Sequence, residues 1–453
     1  MKLTTTIHGS TYNFQSVKEV LAKANEEKSG DVLAGVVAKD DVERVAAKTV
    51  LADMPLAVLR NNPVVDYDVD EVTRIDQDSV DDTVYNQIKG TTVGDFREFL
   101  LSATTEEINA IRPGLTSEII AGATKLMSNM DLVLAAKNMP IQATCNTTIG
   151  LPGTLSTRLQ PNNPTDDVQG IMASLMDGMS YGIGDALIGL NPAVDTIENV
   201  SNILKTFKDF MIKWDIPTQN CVLAHVTTQI KVLERGDTPI DVMFQSLAGS
   251  EISNRAFGIS VPLIDEAYTM MDERRSSKGP NFMYFETGQG SELSSDGNND
   301  ADQVTMEARC YAFAKRYNPF LVNTVVGFIG PEYLYDGRQM IRAGLEDHFM
   351  GKLTGLSMGC DVCYTNHMKA DQNDLENLAM LLSLAGCNYF MGIPGGDDIM
   401  LMYQTSSFHD AGALRTLVDK KPIAPFNARM EELGILHNGR LGVHGGDASI
   451  FRS

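Results

Sequence analysis

The chain has 453 residues, 43% of them hydrophobic, with 37 Lys and Arg against 59 Asp and Glu, a net charge of −22. That length exceeds one small core, and the acidic balance argues against non-specific binding to nucleic acid or anionic membrane. No run of 18 apolar residues predicts a membrane span, the N-terminus lacks an apolar signal core, and six scattered cysteines suit a reducing cytosol.

In chain order, residues 1–105 read as a mainly helical N-terminal region. Helices are expected over Val17 to Ala24 and Val42 to Leu51, and an extended, solvated acidic stretch between Asn61 and Asp82. Thr116-Ser117-Glu118 opens a further helix to about Lys137, with Ser or Thr as cap.

From Ile141 an alternation begins. Eight strand-like runs are expected: Gln142–Gly150, Asp185–Asn191, Asn220–Thr227, Val242–Gly249, Phe282–Phe285, Phe320–Gly330, Leu353–Cys360 and Asn388–Pro394. Helical patterns separate them, such as Val200, Ile203, Leu204, Phe207 and Met211 on one 3.6-period face. Strand and helix in alternation predict a parallel sheet, and eight units over nearly the ~250 residues of such folds predict an α/β architecture, a (β/α)8 TIM-type barrel over 106–400. A doubly wound open sheet is the second choice. Residues 401–453 read as a short helical C-terminal extension with a Gly-rich tail.

In a barrel of this kind the reactive groups sit at the C-terminal strand ends. Those ends carry Arg158-Leu159-Gln160, Asn191-Pro192, Gln245, Glu286, Asn323, Phe328 and Asp361, and the last strand leads into Asp398. The Phe282–Phe285 run breaks abruptly at Glu286 before Thr287-Gly-Gln-Gly290, and a carboxylate at a buried strand end must be paired or used. Each residue alone has a structural reading: Arg158 may be read as a rim bridge, Asn191 as a turn and Asp361 as a helix cap. Together, two carboxylates, a guanidinium and several amides suit a small cationic, hydroxylated molecule, with Phe328 and Met400 excluding water.

Other motifs are weaker. Cys360-Asp-Val-Cys363 lacks the second pair that a zinc site needs. Gly288-Gln-Gly290 lacks the third glycine of a dinucleotide fingerprint, and His225 reads as a structural histidine.

Several longer motifs carry a resemblance. Arg158-Leu-Gln-Pro161, Ala224-His-Val-Thr-Thr-Gln229, Tyr284-Phe-Glu-Thr-Gly-Gln-Gly290, Gly327-Phe-Ile-Gly-Pro-Glu-Tyr-Leu334 and Met358-Gly-Cys-Asp361 resemble the large subunit of ethanolamine ammonia-lyase. The resemblance runs from Met1 to about Pro422. It implies adenosylcobalamin-dependent radical deamination of ethanolamine to acetaldehyde and ammonia, a carbon–nitrogen lyase reaction. It also implies a small-subunit partner, a homo- and hetero-oligomer, and a cytoplasmic location inside a bacterial microcompartment. Carried over by motif, Gln160 and Asn191 would bind the substrate hydroxyl, Glu286 and Asp361 the ammonium, and Phe328 would wall the pocket. Arg158, Glu286 and Asp361 would be catalytic. Cobalamin would touch Arg158, Leu159, Gln160, Pro192, Gln245, Ser294 and Met400, with Phe257 near the adenine. No protein metal ligand is implied, since the corrin holds the cobalt. Glu346-Asp-His348-Phe-Met-Gly351 is a near miss to a cobalt-histidine motif and reads as helix packing.

Two rival expectations stand beside this one. A metal-dependent barrel lyase or aldolase would use Glu286 and Asp361 as ligands. A non-enzymatic shell or assembly protein would tolerate changes at Glu286 and Arg158. For the radical lyase, Glu286→Gln is expected to stop turnover and keep the fold.

Overall fold

The computed structural model describes residues 2–452, so Met1 and Ser453, the outermost residues of the two flanking regions, lie outside it. Eight parallel strands form one sheet: β1 (Ser156–Leu159), β2 (Leu187–Leu190), β3 (Asn220–Val222), β4 (Met243–Ser246), β5 (Met283–Thr287), β6 (Leu321–Val325), β7 (Met358–Asp361) and β8 (Tyr389–Gly392). Each strand pairs with its neighbour in sequence except β3 with β4, and β8 pairs with β1. The β3–β4 seam is closed at one end, where the Val242 N–H donates to the Asn220 carbonyl at 3.2 Å. The Asn220 and Asp241 side chains and backbones also pair across it. The result is the expected barrel and not an open doubly wound sheet. β1, β2, β7 and β8 are buried along their whole length, as parallel strands covered by helices must be.

One strand lies elsewhere than expected. Gln142–Gly150 yields a short antiparallel hairpin, Ala143–Thr144 with Thr148–Ile149, and not a barrel strand. It plugs the barrel floor: the Thr144 N–H donates to Asn281 Oδ1 at 2.7 Å, and the Asn146 N–H to Gln219 Oε1 at 3.1 Å. The true first strand, Ser156-Thr-Arg-Leu159, is polar and gives no apolar run. The polar groups of Thr157 are satisfied in place. Asp185 accepts from the Thr157 N–H at 2.8 Å and Oγ1 at 3.0 Å, and pairs with the buried Arg415 at 2.8 Å.

The helix Ile197–Trp214 buries the expected face, with Thr196 as N-cap. The helix after β8, Phe408–Leu417, packs on β8 although it lies beyond residue 400. It is followed by the helix Ala424–Glu432 and a small hairpin, Leu436–His437 with Arg440–Leu441.

The N-terminal region is mainly helical after an opening hairpin, Thr4–Ile7 with Ser10–Asn13. Its acidic stretch is not extended and solvated throughout: Asp70 caps a helix, Glu71–Asp78, and is itself buried against Arg309 at 2.8 Å. The helix expected to reach Lys137 is two, Ser117–Lys125 and Asn129–Lys137, because Ser128 and Asp131 form a capping box that starts a new one. Buried ion pairs dock this region on the helices behind β5 and β6. Lys28 meets Glu346 at 2.8 Å, and Lys125 meets Asp302 at 2.7 Å. The helix Gln303–Lys315 is consequently buried on nearly all sides, which makes it a rigid backing for β5.

Candidate functional site

β5 organises the site. Side chains alternate across a strand, so Tyr284 and Glu286 both point into the barrel while Phe285 and Thr287 face the helices. Across the lumen, β1 sends in Arg158, whose side chain is fully buried. Its Nη1 donates to the Tyr284 hydroxyl at 2.7 Å and to Glu286 Oε1 at 3.0 Å. The Tyr284 hydroxyl also donates to Glu286 Oε1, and Asn323 Nδ2 of β6 donates to the same oxygen at 3.2 Å. A buried guanidinium requires such a counter-charge.

From Arg158 the hydrogen bonds continue round the rim. Nη2 donates to Gln160 Oε1 at 2.7 Å, and Gln160 Nε2 donates to Asp398 at 3.0 Å and to the Tyr403 hydroxyl at 3.3 Å. Tyr403 in turn donates to Asp361 Oδ2 at 2.7 Å, and Thr405 Oγ1 donates to the other Asp361 oxygen. One continuous network therefore links Glu286 to Asp361 through Arg158, Gln160 and Tyr403. Burial pushes the Asp361 carboxyl up to about 7, and Glu286 adds to that rise. The two hydroxyls and Arg158 work against it.

Above this network a cavity of about 430 Å³ opens at the C-terminal end of the barrel. Gln160, Asn191, Glu286 and Asp361 line it, as do Gln245, Phe257 and Phe328. Asn191 Oδ1 is buried and has no hydrogen-bond partner among the described residues, and the same holds for Asn323 Oδ1. Buried acceptors left unpaired call for a donor from a ligand. The other walls are apolar, with Phe244, Leu247, Met391 and Leu401. A pocket with carboxylates and free acceptors at its polar end and hydrocarbon elsewhere selects a small cation that also donates a hydroxyl.

The other sequence-derived candidates, Arg158, Leu159, Pro192, Ser294 and Met400, are not among the residues that line this cavity. Arg158 sits beneath its floor. Pro192 and Met400 are half-buried, and the Met400 N–H donates to Asp398 at 3.0 Å. Ser294 ends a short helix, Ser291–Ser294, and donates to the Ser291 carbonyl at 2.7 Å. The Leu159 side chain faces the opposite way, packing over Gly178 and Gly184 in the barrel wall, so only its backbone is on the mouth side. Reading strand ends missed Tyr284, Tyr403 and Thr405. Tyr284 was available from the two-residue period counted back from Glu286. Tyr403 and Thr405 carried no such signal. Tyr403 lies in, and Thr405 follows, a small rim sheet of Tyr364–Thr365, Tyr403–Gln404 and Asp397–Asp398, and only the tertiary fold brings them to Asp361.

The remaining motifs are structural. Cys360 and Cys363 are buried and unbridged, and burial pushes both thiols up, which makes them inert. His348 is buried on the helix Gly337–Thr354, where Glu346 pairs with Arg342 at 2.6 Å. His225 caps the helix Val226–Arg235, and its Nε2 lies 3.1 Å from the Phe257 carbonyl at the cavity edge. A divalent ion on Glu286 and Asp361 is not favoured. The guanidinium of Arg158 already neutralises Glu286, and both Asp361 oxygens are engaged by hydroxyls. Among the described residues no helix is long and apolar enough to cross a membrane.

The chain matches known proteins along its whole length. The sequence model of a family described as ethanolamine ammonia lyase large subunit (EutB) matches residues 12–444. The ethanolamine ammonia-lyase large subunits of Escherichia coli strain K12 and Salmonella typhimurium strain LT2 are each 56% identical to it over 453 residues, covering 100% of both sequences in each comparison.

Proposed function

The chain belongs to the ethanolamine ammonia-lyase large-subunit family, and from that premise we propose that it deaminates ethanolamine to acetaldehyde and ammonia with adenosylcobalamin. The observation that supports the reading most directly is the single hydrogen-bonded network joining Glu286 to Asp361 beneath a cavity with unpaired acceptors. Glu286 and Asp361 hold the ammonium, one from each side of the mouth. Asn191 Oδ1 and the second lone pair of Gln160 Oε1 accept the substrate hydroxyl. Arg158 supplies positive charge from below, and Glu286 exchanges a proton with the amino group as it moves. Phe328 and the apolar wall exclude water from the reacting atoms.

The mouth also fits a large corrin. Phe328, Ile399 and Met402 are 39%, 68% and 67% exposed around the loop whose Leu401 lines the cavity, an apolar rim otherwise left in water. Pro192, Gln245, Met400, Phe257 and Ser294 would hold the cofactor there, with the backbone of the Arg158–Gln160 segment. When bound, adenosylcobalamin supplies the radical chemistry at the substrate carbon. A small subunit completes the cofactor site, within a hetero-oligomer housed in a bacterial microcompartment. The test mixes the chain with a small subunit, adenosylcobalamin and ethanolamine. Acetaldehyde and ammonia should form only when all are present. Turnover without the cofactor, or none in the full mixture, would overturn the proposal.

A further inference from the structure

Two residues of the rim network, one behind the cavity and one in its wall, decide what the ligand meets. Asp398 is 5% exposed and does not line the cavity. It collects four donors: Gln160 Nε2 at 3.0 Å and Asn162 Nδ2 at 2.7 Å on one oxygen, and the Met400 and Leu401 N–H groups at 3.0 and 2.9 Å on the other. The second pair fixes the turn that carries the strand back over the mouth. The first pair fixes the Gln160 amide. Arg158 can only donate and a carboxylate can only accept, so Gln160 must turn its oxygen to Arg158 and its nitrogen to Asp398. Tyr403 holds the other amide hydrogen and passes its own to Asp361, while its ring packs edge-on against Phe328 at 5.6 Å.

We infer that Asp398 and Tyr403 are positioning residues that lock the sense of the Gln160 amide, so that Gln160 presents only its carbonyl oxygen to the cavity. The inference rests on the functional reading above and sharpens its substrate class. Both amide hydrogens of Gln160 are committed, and Asn191 offers an unpaired Oδ1. A ligand oxygen that meets Gln160 must therefore donate, which favours a primary amino alcohol over the matching amino ether.

The test is a double-mutant cycle with two readouts on the full-length chain together with its small subunit. Asp398→Asn turns an NH2 toward the Gln160 NH2, while Gln160→Glu sets two carboxylates face to face. Combined, they restore a donor against an acceptor in the reversed sense, with Arg158 still meeting an acceptor. The double variant should melt higher than the sum of the single losses, because only interacting sites couple. In turnover, Asp398→Asn should raise KM for ethanolamine by about tenfold or more, with kcat changed less. The discrimination against 2-methoxyethylamine as an inhibitor should narrow in the same variant. Additive melting temperatures, or a KM within about twofold of the unaltered enzyme's, would overturn the inference. An unaltered complex that leaves ethanolamine unchanged would overturn the functional reading instead. The melting cycle needs no activity, so it would still decide the clamp, coupling for it and additivity against it.

Discussion

Glu286 and Asp361 are both strand-end carboxylates, but their surroundings give them opposite effects on stability. Glu286 is the ion-pair partner of the fully buried Arg158, so removing its charge leaves that guanidinium uncompensated. Glu286→Gln should abolish turnover and also lower stability by about 1–3 kcal/mol, since the amide oxygen can still accept from Arg158. The fold is still expected to form, at that cost in stability. Asp361 is buried and its carboxyl is pushed up to about 7. A raised pKa means that the folded state holds the proton more tightly than the unfolded chain. Its contribution to stability is present at low pH and is lost as pH rises toward about 7. Asp361→Asn should therefore melt at or above the unaltered protein at pH ~8 while losing activity, the trade-off expected of a strained functional group. The same titration bears on binding. Below pH ~7 the ammonium loses one of its two carboxylates, so KM for ethanolamine should climb as pH falls through that value, whereas a flat KM from about pH 8.5 to 6 would contradict the assignment.

At the scale of the strand, packing inside the barrel is tight enough for one methyl group to matter. Gly359 of β7 lies opposite Tyr389 of β8, and a Cβ there would meet the Tyr389 ring at 2.1 Å. Gly359→Ala should destabilise by about 1–3 kcal/mol, and it should impair turnover too, because Tyr389 shares the lumen with Arg158. Unfolding in denaturant checks the first, steady-state kinetics the second. How legible such elements were follows from their chemistry. β8 shows in the sequence because both faces are buried and the run is apolar, whereas β7 shows only in part, since the expected run Leu353–Cys360 begins in the last turn of the helix Gly337–Thr354. β1 does not, because Ser156, Thr157 and Arg158 are polar residues whose burial depends on Asp185, Arg415 and Glu286, all distant in sequence. The strand-like run just upstream, Gln142–Gly150, took its place in the reading and proved to be the floor hairpin. The site divides the same way. Glu286, Asn191 and Asp361 announce themselves at strand ends, whereas Tyr403 and Thr405 reach Asp361 only through the rim sheet.

Across the whole molecule, the N-terminal helices act as a brace. Lys28 and Lys125 reach fully buried carboxylates on the helices that back β5 and β6, and Arg309 reaches back to Asp70 and Glu118. Losing one such partner weakens the compensation of a buried charge: with Arg342 still on Glu346, Lys28→Met should cost about 1–3 kcal/mol, read as a lower unfolding midpoint, while KM for ethanolamine in the protein that remains folded stays unchanged. The brace thus holds the two strands that carry Glu286 and Asn323. The claim on which the account turns is that Glu286 and Asp361 grip one ammonium between them. A crystal structure of the complex with its small subunit, a cobalamin and ethanolamine tests it most directly. The account predicts the substrate nitrogen within about 3.2 Å of both carboxylates and the hydroxyl on Asn191 and Gln160. A nitrogen bound away from either carboxylate, or the molecule reversed with its hydroxyl on Glu286, would contradict it.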